Sequence, residues 1–550
     1  MCDCLTETVY YIDVLCLVRR NITKLQVMKI RFAILSLFFF TVLLVQAQPY
    51  WETYIHNKYV GENVFLRQSD DSTVPPTFQP ARNLLPEPVW DARPDVIKCY
   101  WKTWEIAYSN LHAVEPKSGF VYPLIDAAFN GDIYMWDSSF MLMFLKYGIK
   151  SFNFLPALNN FYCKQHSDGF ICREIRRSDG TDTFERWAIA STGPNIMPWA
   201  EWEYYLNLND SARLKDVFPP LLAYYQWFRT NRSWPDGSYF ANGQSCGMDN
   251  QPRIPGNKSD QAVNHSTGFM SWIDCTLQQI VAGNVLINIG KKINREDDIK
   301  DIETEVAFLT EYVNTKMYDT TSDFYYDRMR DGKLTQVKSI AAYWSLLAGV
   351  VPQDKLKNFV KHLENKNEFD RPHRIPTLSA DNPEYKPEWG YWRGGVWAPT
   401  NYMVLRGLTK YKQDSLAYEI AQNTLNNVVD VFNKQGTLYE NYSPESREGQ
   451  FKNNFVGWTG LIPIAVLFEY VFGIRADVPI NTLVWDVRLT DAFGIKKYPY
   501  GKTGLIDLQC AKRNKSTDKP VLKIKSNIAF NLLLKWNGGS QIISIKKNTK

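Results

Sequence analysis

Two acidic motifs that lie far apart in the chain carry residue types suited to acid–base chemistry. The first is residues 246–253, Cys-Gly-Met-Asp-Asn-Gln-Pro-Arg, in which Asp249 lies between a glycine and a proline. Gly247 permits unusual backbone angles and Pro252 restricts the backbone around it, so Asp249 is placed on a stiff turn. A carboxyl group that is partly withdrawn from water has a raised pKa and can act as a general acid. Taken alone, the octapeptide favours a helix cap as the role of Asp249.

The second acidic motif lies nearly 200 residues downstream and reads Leu438-Tyr439-Glu440-Asn441-Tyr442. Inverting glycoside hydrolysis needs one carboxyl group as acid and a second as base, about 6.5–9.5 Å apart, so that a water molecule fits between the base and the sugar. Asp249 as acid and Glu440 as base fit this scheme if the fold brings them together. The alternative interpretation of Glu440 is an ordinary loop carboxylate.

Aromatic and charged residues near these motifs are candidates for sugar contacts. Aromatic faces can stack on sugar rings and exclude water, and carboxylates, amides and arginines can bind hydroxyl groups. The candidates are Trp136, Asp137, Arg173, Glu174, Trp202, Arg253, Trp392, Arg393 and Trp397. Structural alternatives remain for several of them: a helix cap for Asp137, an internal ion pair for Arg173 and Glu174, core packing for Trp202, and a loop brace for Arg393.

Composition excludes some classes of function. The chain has 550 residues and a net charge of +5, and no basic stripe interleaves with its aromatics, so nucleic acid is not an expected partner. The six histidines show no paired spacing, and neither a metal site nor a cofactor is predicted. Cys163 and Cys172 are the closest pair for a disulfide, although buried thiols are the favoured interpretation of most cysteines.

The first 47 residues have the pattern of an export leader. Met28 begins a short basic stretch, residues 32–45 are almost entirely apolar, and Val-Gln-Ala then precedes Gln48. This pattern is typical of a signal peptide, with Met28 as the true start and Gln48 as the mature N-terminus. The prediction is a secreted or periplasmic protein that is not bound to a membrane after signal cleavage.

Beyond the leader, the spacing of apolar residues predicts a mainly α protein in three parts. Residues 48–88 are predicted to form an extended arm or a small lead-in, residues 89–475 a helical domain and residues 476–550 a small antiparallel β-sandwich. Consecutive helix pairs without a fixed repeat favour an (α/α)6 toroid over a solenoid, and no run of strands is predicted before Asp477. The predicted helices cover 95–113, 136–147, 151–161, 198–206, 212–230, 267–293, 298–313, 337–347, 353–364, 398–412, 415–433 and 458–472.

The ordered set of motifs resembles a known family. Trp136-Asp137-Ser138, Arg173-Glu174, Gly247-Met248-Asp249, Arg393-Gly394-Gly395-Val396-Trp397 and Glu440-Asn441-Tyr442 occur in the order found in the α-glycosidases of glycoside hydrolase family 63, including mannosylglycerate hydrolases, and more distantly in the family 37 trehalases. The resemblance implies an (α/α)6 fold and an inverting mechanism, with Asp249 as acid and Glu440 as base. One departure is that Ser245-Cys246-Gly247 stands where those families have Glu-Ser-Gly, so the resemblance does not define the sugar.

The leading hypothesis is therefore an inverting α-glycosidase acting on a carbohydrate. The alternative is a non-catalytic carbohydrate-binding protein on the same scaffold, which would need the tryptophans but not both acids. Polysaccharide lyase chemistry is a third option. It relies on His or Tyr bases against uronic acids, and the sequence shows no convergent His–Tyr pair. The presence of both carboxylates favours the hydrolase.

Overall fold

The computed structural model describes residues 56–69, 73–256 and 265–548. The predicted leader, signal peptide and mature N-terminus lie outside the described residues. From Asn57 onward the chain forms one compact unit. Within the described ranges, no helix has the length and apolar character needed to cross a membrane.

Helices dominate the structure, which confirms the prediction of a mainly α protein. In chain order they are α1 (Phe78–Arg82), α2 (Pro94–Ser109), α3 (Met135–Leu145), α4 (Asn159–Tyr162), α5 (Met197–Leu208), α6 (Ser211–Asn231), α7 (Gly243–Cys246), α8 (Ile273–Lys292), α9 (Lys300–Lys316), α10 (Trp344–Ala348), α11 (Gln353–Lys361), α12 (Ala398–Lys410), α13 (Asp414–Gln435) and α14 (Ile462–Val471), the last with π-type hydrogen bonds. Most predicted segments match one of these helices to within a few residues.

Some of these helices contact one another in a closed cycle. The cycle runs through α3, α5, α8, α10 and α12 to the helical run 458–471, which contacts α3 again. Helices α2, α6, α9 and α13 pack against members of the cycle. Every residue of α3 is buried, whereas α9 buries only Ile302, Leu309, Tyr312 and Val313. A helix that is apolar on all faces belongs inside a fold, and one with a single apolar stripe belongs outside.

Short strands connect the helices, and the prediction of no strands before Asp477 is wrong. Two-residue ladders are too short to show an alternating pattern. The early strands are β1 (Glu87–Val89), β2 (Leu111–His112), β3 (Leu124–Ile125), β4 (Ile133–Tyr134), β5 (Glu174–Ile175), β6 (Met270–Ser271), β7 (Tyr318–Asp319), β8 (Phe324–Tyr325), β9 (Arg328–Met329), β10 (Tyr439–Tyr442) and β11 (Gly449–Asn453). The antiparallel pair of β10 and β11 is the longest of these ladders within the helical region, and it carries Glu440.

The C-terminal region forms two four-stranded sheets. Its strands are β12 (Ile474–Asp477), β13 (Thr482–Asp486), β14 (Phe493–Tyr500), β15 (Gly504–Cys510), β16 (Leu522–Ser526), β17 (Phe530–Trp536) and β18 (Gly539–Ile545). The order β1-β14-β15-β16 is antiparallel throughout. In the order β12-β13-β17-β18, strands β13 and β17 are parallel, so the prediction of purely antiparallel pairing is wrong there. The intervening strands belong to the other sheet, and the chain therefore returns beside β13 in the same direction.

The predicted extended arm is also corrected. Two turns of 3₁₀ helix, Val60–Glu62 and Val64–Arg67, precede α1. The Asn63 side chain donates hydrogen bonds to the Tyr162 carbonyl and to Gln165, each 2.9 Å long. The arm is therefore folded against the helical region, and its last strand, β1, pairs with β14.

Candidate active site

A cavity of about 290 Å³ opens where α3 and α5 begin. Met135 and Trp136 lie in the first turn of α3, and Gly193 and Pro194 precede α5. The cavity is lined by Phe129, Tyr134, Met135, Trp136, Asp137, Arg173, Gly193, Pro194, Gln244, Gly247, Asp249, Tyr391, Trp392 and Trp458. The first turn of α3, the start of the helical run 458–471 and the segments that precede α5 and α12 therefore form much of the cavity wall.

Asp249 lines this cavity on the turn that follows the short helix α7. Gly247 ends that helix with φ 79°, and a Cβ atom there would lie 3.2 Å from the Trp136 ring. A glycine is therefore required, both by the left-handed backbone and by the close approach of the indole. The neighbouring Asn250 fixes the turn, because its side chain accepts a hydrogen bond from Trp392 N and donates one to Gly390 O.

The surroundings of Asp249 suit a general acid. Burial raises the pKa of the Asp249 carboxyl to about 6, and the nearby Arg173 charge limits the rise. At mildly acidic pH a substantial fraction of the group is protonated. Asp249 can therefore supply a proton to a leaving oxygen in the cavity.

Glu440 reaches the same cavity through a tyrosine. Tyr391 lines the cavity, and its hydroxyl donates a 2.9 Å hydrogen bond to Glu440 Oε1. The Lys452 backbone N–H donates to Oε2, and the Trp458 indole donates to the Glu440 carbonyl. Burial raises the pKa of the Glu440 carboxyl, the hydrogen bond from Tyr391 opposes this, and the Asp249 charge adds to the rise. The two predicted catalytic carboxyl groups therefore lie close enough to influence each other's ionisation.

Asp137 is a third carboxyl group in the cavity wall. Burial raises the pKa of Asp137 well above its usual range, and the charges of Glu440 and Asp249 contribute to the rise. Within the described part of the chain, its Oδ1 atom is buried without a hydrogen-bond partner. Buried polar atoms are normally satisfied, so this oxygen is available to a ligand hydroxyl. The predicted sugar contact by Asp137 is consistent with this position.

Arg173 and Glu174 are adjacent in sequence, but only Arg173 lines the cavity, so the predicted sugar contact by Glu174 is corrected to a position behind the cavity wall. Arg173 lines the cavity and donates from Nε to the Ala190 carbonyl at 2.6 Å. Its guanidinium is 4.0 Å from Glu174, which is a loose ion pair. Glu174 lies on β5 opposite Tyr134, and burial raises the pKa of its carboxyl. The pair leaves Arg173 facing the cavity.

The predicted stacking tryptophans differ in their placement. Trp136 and Trp392 line the cavity, as a sugar-stacking role requires. Trp397 is fully buried and stacks on Trp392, with ring centroids 3.7 Å apart and an interplanar angle of 7°. The prediction that Trp397 contacts the sugar is therefore corrected, because its face is covered by Trp392. It fixes the orientation of the indole that does face the cavity.

Two other predicted contacts are placed elsewhere. Trp202 lines a separate cavity together with Arg406, so the expected sugar contact is wrong. Arg253 is fully buried, and its guanidinium forms 2.5 Å ion pairs with Asp274 and Asp327. The prediction for Arg253 is also wrong, because an arginine neutralised by two carboxylates has no free face for a sugar.

Arg393 acts on the turn that carries the acid. Its Nη1 pairs with Glu384 at 2.8 Å and its Nε donates to the Asn250 carbonyl. It is not one of the residues that line the cavity. The expectation of a sugar contact is corrected to a bracing role, directed at the Asp249 turn rather than at Glu440.

Sequence reasoning missed two polar residues of the cavity, Tyr391 and Gln244. Tyr391 directly precedes Trp392, which was a candidate for a sugar contact, and this adjacency was the available signal for Tyr391. Gln244 lies in α7, and its Oε1 atom is buried with no partner among the described residues. Gln244 is one residue before the position at which the family resemblance expects a glutamate, so an amide supplies a hydrogen-bonding group close to the missing carboxylate.

Metal ligands do not cluster in this part of the molecule. Over residues 56–69, 73–256 and 265–548, no group of three or more His, Cys, Asp or Glu side chains is arranged to hold a metal ion. The six cysteines in these ranges are free thiols, and Cys172 is fully buried.

Glycoside hydrolases use paired carboxyl groups, and this cavity has neighbouring buried carboxyl groups and aromatic walls. Comparison with known proteins supports this class. Residues 157–459, more than half of the chain, match the family described as the mannosylglycerate hydrolase MGH1-like glycoside hydrolase domain. The chain belongs to this family, and it is a glycosidase of the family 63 type.

Curated relatives are distant in sequence. An uncharacterised protein of Borreliella burgdorferi is 21% identical over 64% of this chain and 74% of its own length. A probable mannosyl-oligosaccharide glucosidase of Schizosaccharomyces pombe is 23% identical over 45% of this chain, and the match spans only 34% of that protein. The matched part of this chain therefore spans about a third of that probable glucosidase.

Solved structures show the same fold. The crystal structure of a family 63 mannosylglycerate hydrolase from Thermus thermophilus in complex with glucose superposes with a TM-score of 0.54 at 18% identity. The superposition covers 66% of this chain and 99% of that protein. At this identity the likeness concerns the fold alone.

Proposed function

We propose that this protein is an inverting glycoside hydrolase that cleaves α-glycosidic bonds in oligosaccharides or small glycosides. The observation that carries the proposal is that Asp249 lines the cavity and that Tyr391, which also lines it, donates a hydrogen bond to Glu440. The family membership and the names of the relatives, which include glucosidases and mannosylglycerate hydrolases, support α-linked sugars as the substrate class.

In this mechanism Asp249 protonates the departing oxygen. Its raised pKa keeps a useful fraction of the acid form at mildly acidic pH, and burial strengthens its hydrogen bond to the leaving group. Asn250 and Arg393 fix the turn that carries the carboxyl group. The acid is therefore presented in one orientation before the substrate arrives.

Glu440 takes the proton from the attacking water. The hydrogen bonds from Tyr391 and from Lys452 N stabilise its ionised form against burial. A water molecule held by Glu440 attacks the anomeric carbon as the bond to the leaving oxygen breaks. One proton passes from Asp249 to the leaving group and one from water to Glu440. Because water attacks once, from the face opposite the leaving oxygen, the anomeric configuration is inverted.

Two further proposals concern the scaffold and the location of the enzyme. The closed cycle of α3, α5, α8, α10, α12 and the run 458–471 is interpreted as the inner ring of an (α/α)6 toroid, and the two C-terminal sheets as a β-sandwich. Export through the signal peptide remains a prediction, and N-terminal sequencing of the secreted protein at Gln48 is its test.

The test of the function is the anomer that the reaction releases. Incubation with α-linked glucosyl and mannosyl disaccharides, followed by NMR during the first minutes, is expected to show the β-anomer of the released sugar. Replacing Asp249 by Asn is expected to abolish cleavage of disaccharides and largely spare glycosyl fluorides, because fluoride needs no protonation.

Release of the α-anomer would refute inversion. Tight sugar binding with no cleavage of any substrate would instead favour the non-catalytic carbohydrate-binding protein.

A further inference from the structure

Exposed aromatic side chains form a small patch close to the catalytic cavity. Trp389 is 59% exposed and Phe451 is 39% exposed, although both are large and apolar. Their ring centroids lie 5.7 Å apart. An exposed pair of aromatics costs solubility, so a soluble protein retains one where a ligand covers it.

The backbone under this patch is in an unfavourable conformation. Trp389, Tyr391 and Phe451 have φ values of 57°, 59° and 60°, in the left-handed region that bulky residues avoid. Strained residues of this kind concentrate at functional sites, where the surrounding structure holds them in place. Three of them in one cluster indicate that the positions of the rings matter.

Hydrogen bonds hold the loop that carries Trp389. The preceding residue, Glu388, accepts a 2.6 Å hydrogen bond from Ser443 and a 3.0 Å bond from Gln450 Nε2. Ser443 and Gln450 flank the turn between β10, which carries Glu440, and β11. The exposed indole is therefore fixed relative to the predicted catalytic base.

The patch is continuous with the cavity. The Phe451 ring lies 4.7 Å from Tyr391, centroid to centroid, and Tyr391 lines the cavity and binds Glu440. The cavity itself, at about 290 Å³, lies at the lower limit of the usual range for small-molecule sites, roughly 300–1,000 Å³. A small cavity accommodates the sugar that is cleaved, and the rest of the substrate must extend toward solvent.

We propose that Trp389 and Phe451 form a binding platform for the leaving group, where a sugar ring beyond the scissile bond stacks. The proposal rests on the proposed function and deepens it. The flat apolar face of a hexose matches an indole, whereas a small charged leaving group such as glycerate offers no such face. The preferred substrate is therefore an oligosaccharide whose leaving group carries at least one pyranose ring.

The experiment compares leaving groups of different size on one released sugar. The substrates are the α-glycosyl fluoride, the α-glycosyl glycerate, a disaccharide and a trisaccharide, in glucosyl and mannosyl series. The wild-type enzyme is expected to give a higher kcat/KM for the disaccharide and trisaccharide than for the glycerate. Trp389→Ala is expected to lower kcat/KM for the two oligosaccharides about tenfold and to leave the fluoride within twofold.

Matched variants separate stacking from loss of structure. Trp389→Phe keeps an aromatic face and should restore most of the oligosaccharide activity. Phe308→Ala removes an aromatic that is 48% exposed on the outer helix α9, and it should leave every substrate unchanged.

Two results would overturn the inference while leaving the proposed function intact. One is equal loss on all substrates, fluoride included, in Trp389→Ala. The other is a wild-type preference for the glycerate that Trp389→Ala and Phe451→Ala do not alter. If the wild-type enzyme hydrolyses neither fluoride nor any oligosaccharide, the proposed function fails and the inference fails with it.

Discussion

Two clusters of buried charge differ in how their acids are neutralised. In the first cluster, here called the inner cluster, Lys146 lies 3.2 Å from Glu203 and 3.0 Å from Glu469, and Arg406 pairs with both acids. Burial tends to raise the pKa of Glu203, but the charges of Arg406 and Lys146 outweigh it, so the pKa is lowered. The inner cluster is thus a balanced set of two cations and two anions.

In the candidate active-site cavity, burial outweighs the effect of the nearby cations on the acids. Burial raises the pKa of the carboxyl groups of Asp137, Asp249 and Glu440. The charge of Arg173 opposes this rise at Asp137 and Asp249, and the charge of Lys452 opposes it at Glu440, but neither outweighs burial. A fold that buries balanced charges is destabilised when one partner is removed, whereas buried acids with raised pKa values are typical of sites that transfer protons. The contrast separates structural from functional acids without reference to any relative.

The largest effect expected from this contrast is on catalysis by Glu440. Glu440→Gln removes the base while preserving size, and kcat should fall by about 10²–10⁴-fold on fluorides and disaccharides alike. Steady-state kinetics on both substrate types measures it, and KM should change less than kcat. If Glu440→Gln keeps activity near the wild-type level, Glu440 has a structural and not a catalytic role.

A substitution in the inner cluster should lower the free energy of unfolding. Glu203→Gln leaves Arg406 and Lys146 short of one negative charge, and removing one partner of a buried ion pair typically costs about 3–5 kcal/mol in the free energy of unfolding. Urea denaturation followed by tryptophan fluorescence measures it. A variant as stable as the wild type would show that the balanced cluster is not needed for the fold.

Asp249→Asn should change stability in the opposite direction. The folded-state pKa of about 6 exceeds the ordinary 3.8, so the folded state holds this proton more tightly, and stability is lost as pH rises from about 4 to 6. At pH 7 the substitution should therefore stabilise the protein by up to about 3 kcal/mol, and at pH 4 it should have little effect. Urea denaturation at the two pH values tests the sign, which a destabilised variant at pH 7 would contradict.

The pH–rate profile should reflect the same carboxyl group. The acid form of Asp249 is lost as pH rises through about 6, so kcat/KM for disaccharides should fall about tenfold per pH unit beyond that value. The alkaline limb should be absent for glycosyl fluorides, which need no acid. An identical limb for both substrates would assign it to another group.

The smallest effect is expected at Gln244. Gln244 lines the cavity, and its buried Oε1 has no hydrogen-bond partner among the described residues. One hydrogen bond to an uncharged hydroxyl is worth about 0.5–1.5 kcal/mol. Gln244→Ala should lower kcat/KM about 2- to 10-fold for the sugar whose hydroxyl it binds. Deoxy-sugar substrates identify that hydroxyl. The substrate that lacks the hydroxyl bound by Gln244 should have the same kcat/KM with the variant as with the wild type.

The helices were predictable because their apolar spacing is a local signal. The pattern from Ser415 to Asn433 predicted a helix, and the structure has Asp414–Gln435, which ends where Gly436 adopts φ 73°. The motif order also predicted a pair of carboxyl groups, and Asp249 and Glu440 do lie near each other. Their roles as acid and base remain predictions.

Long-range partners were not predictable in the same way. Arg253 resembles a sugar ligand until Asp274 and Asp327 are placed around it, and these lie 21 and 74 residues away. Trp202 lies in the predicted helix 198–206. Helical periodicity predicts which face of a helix a residue occupies, but not which cavity that face lines. The parallel pairing of β13 with β17 depends likewise on the path of the intervening strands.

The pairing of β1 with β14 has a consequence for how the chain is made. Glu87 and Lys496 are register partners joined by an ion pair across 409 residues of sequence. During synthesis the ribosome exposes β1 long before β14, and the edge of β1 that pairs with β14 stays unpaired until β14 has emerged. Contacts of such sequence separation form slowly, and unpaired edges invite aggregation. The nascent chain therefore cannot complete this sheet until the whole helical region has been synthesised.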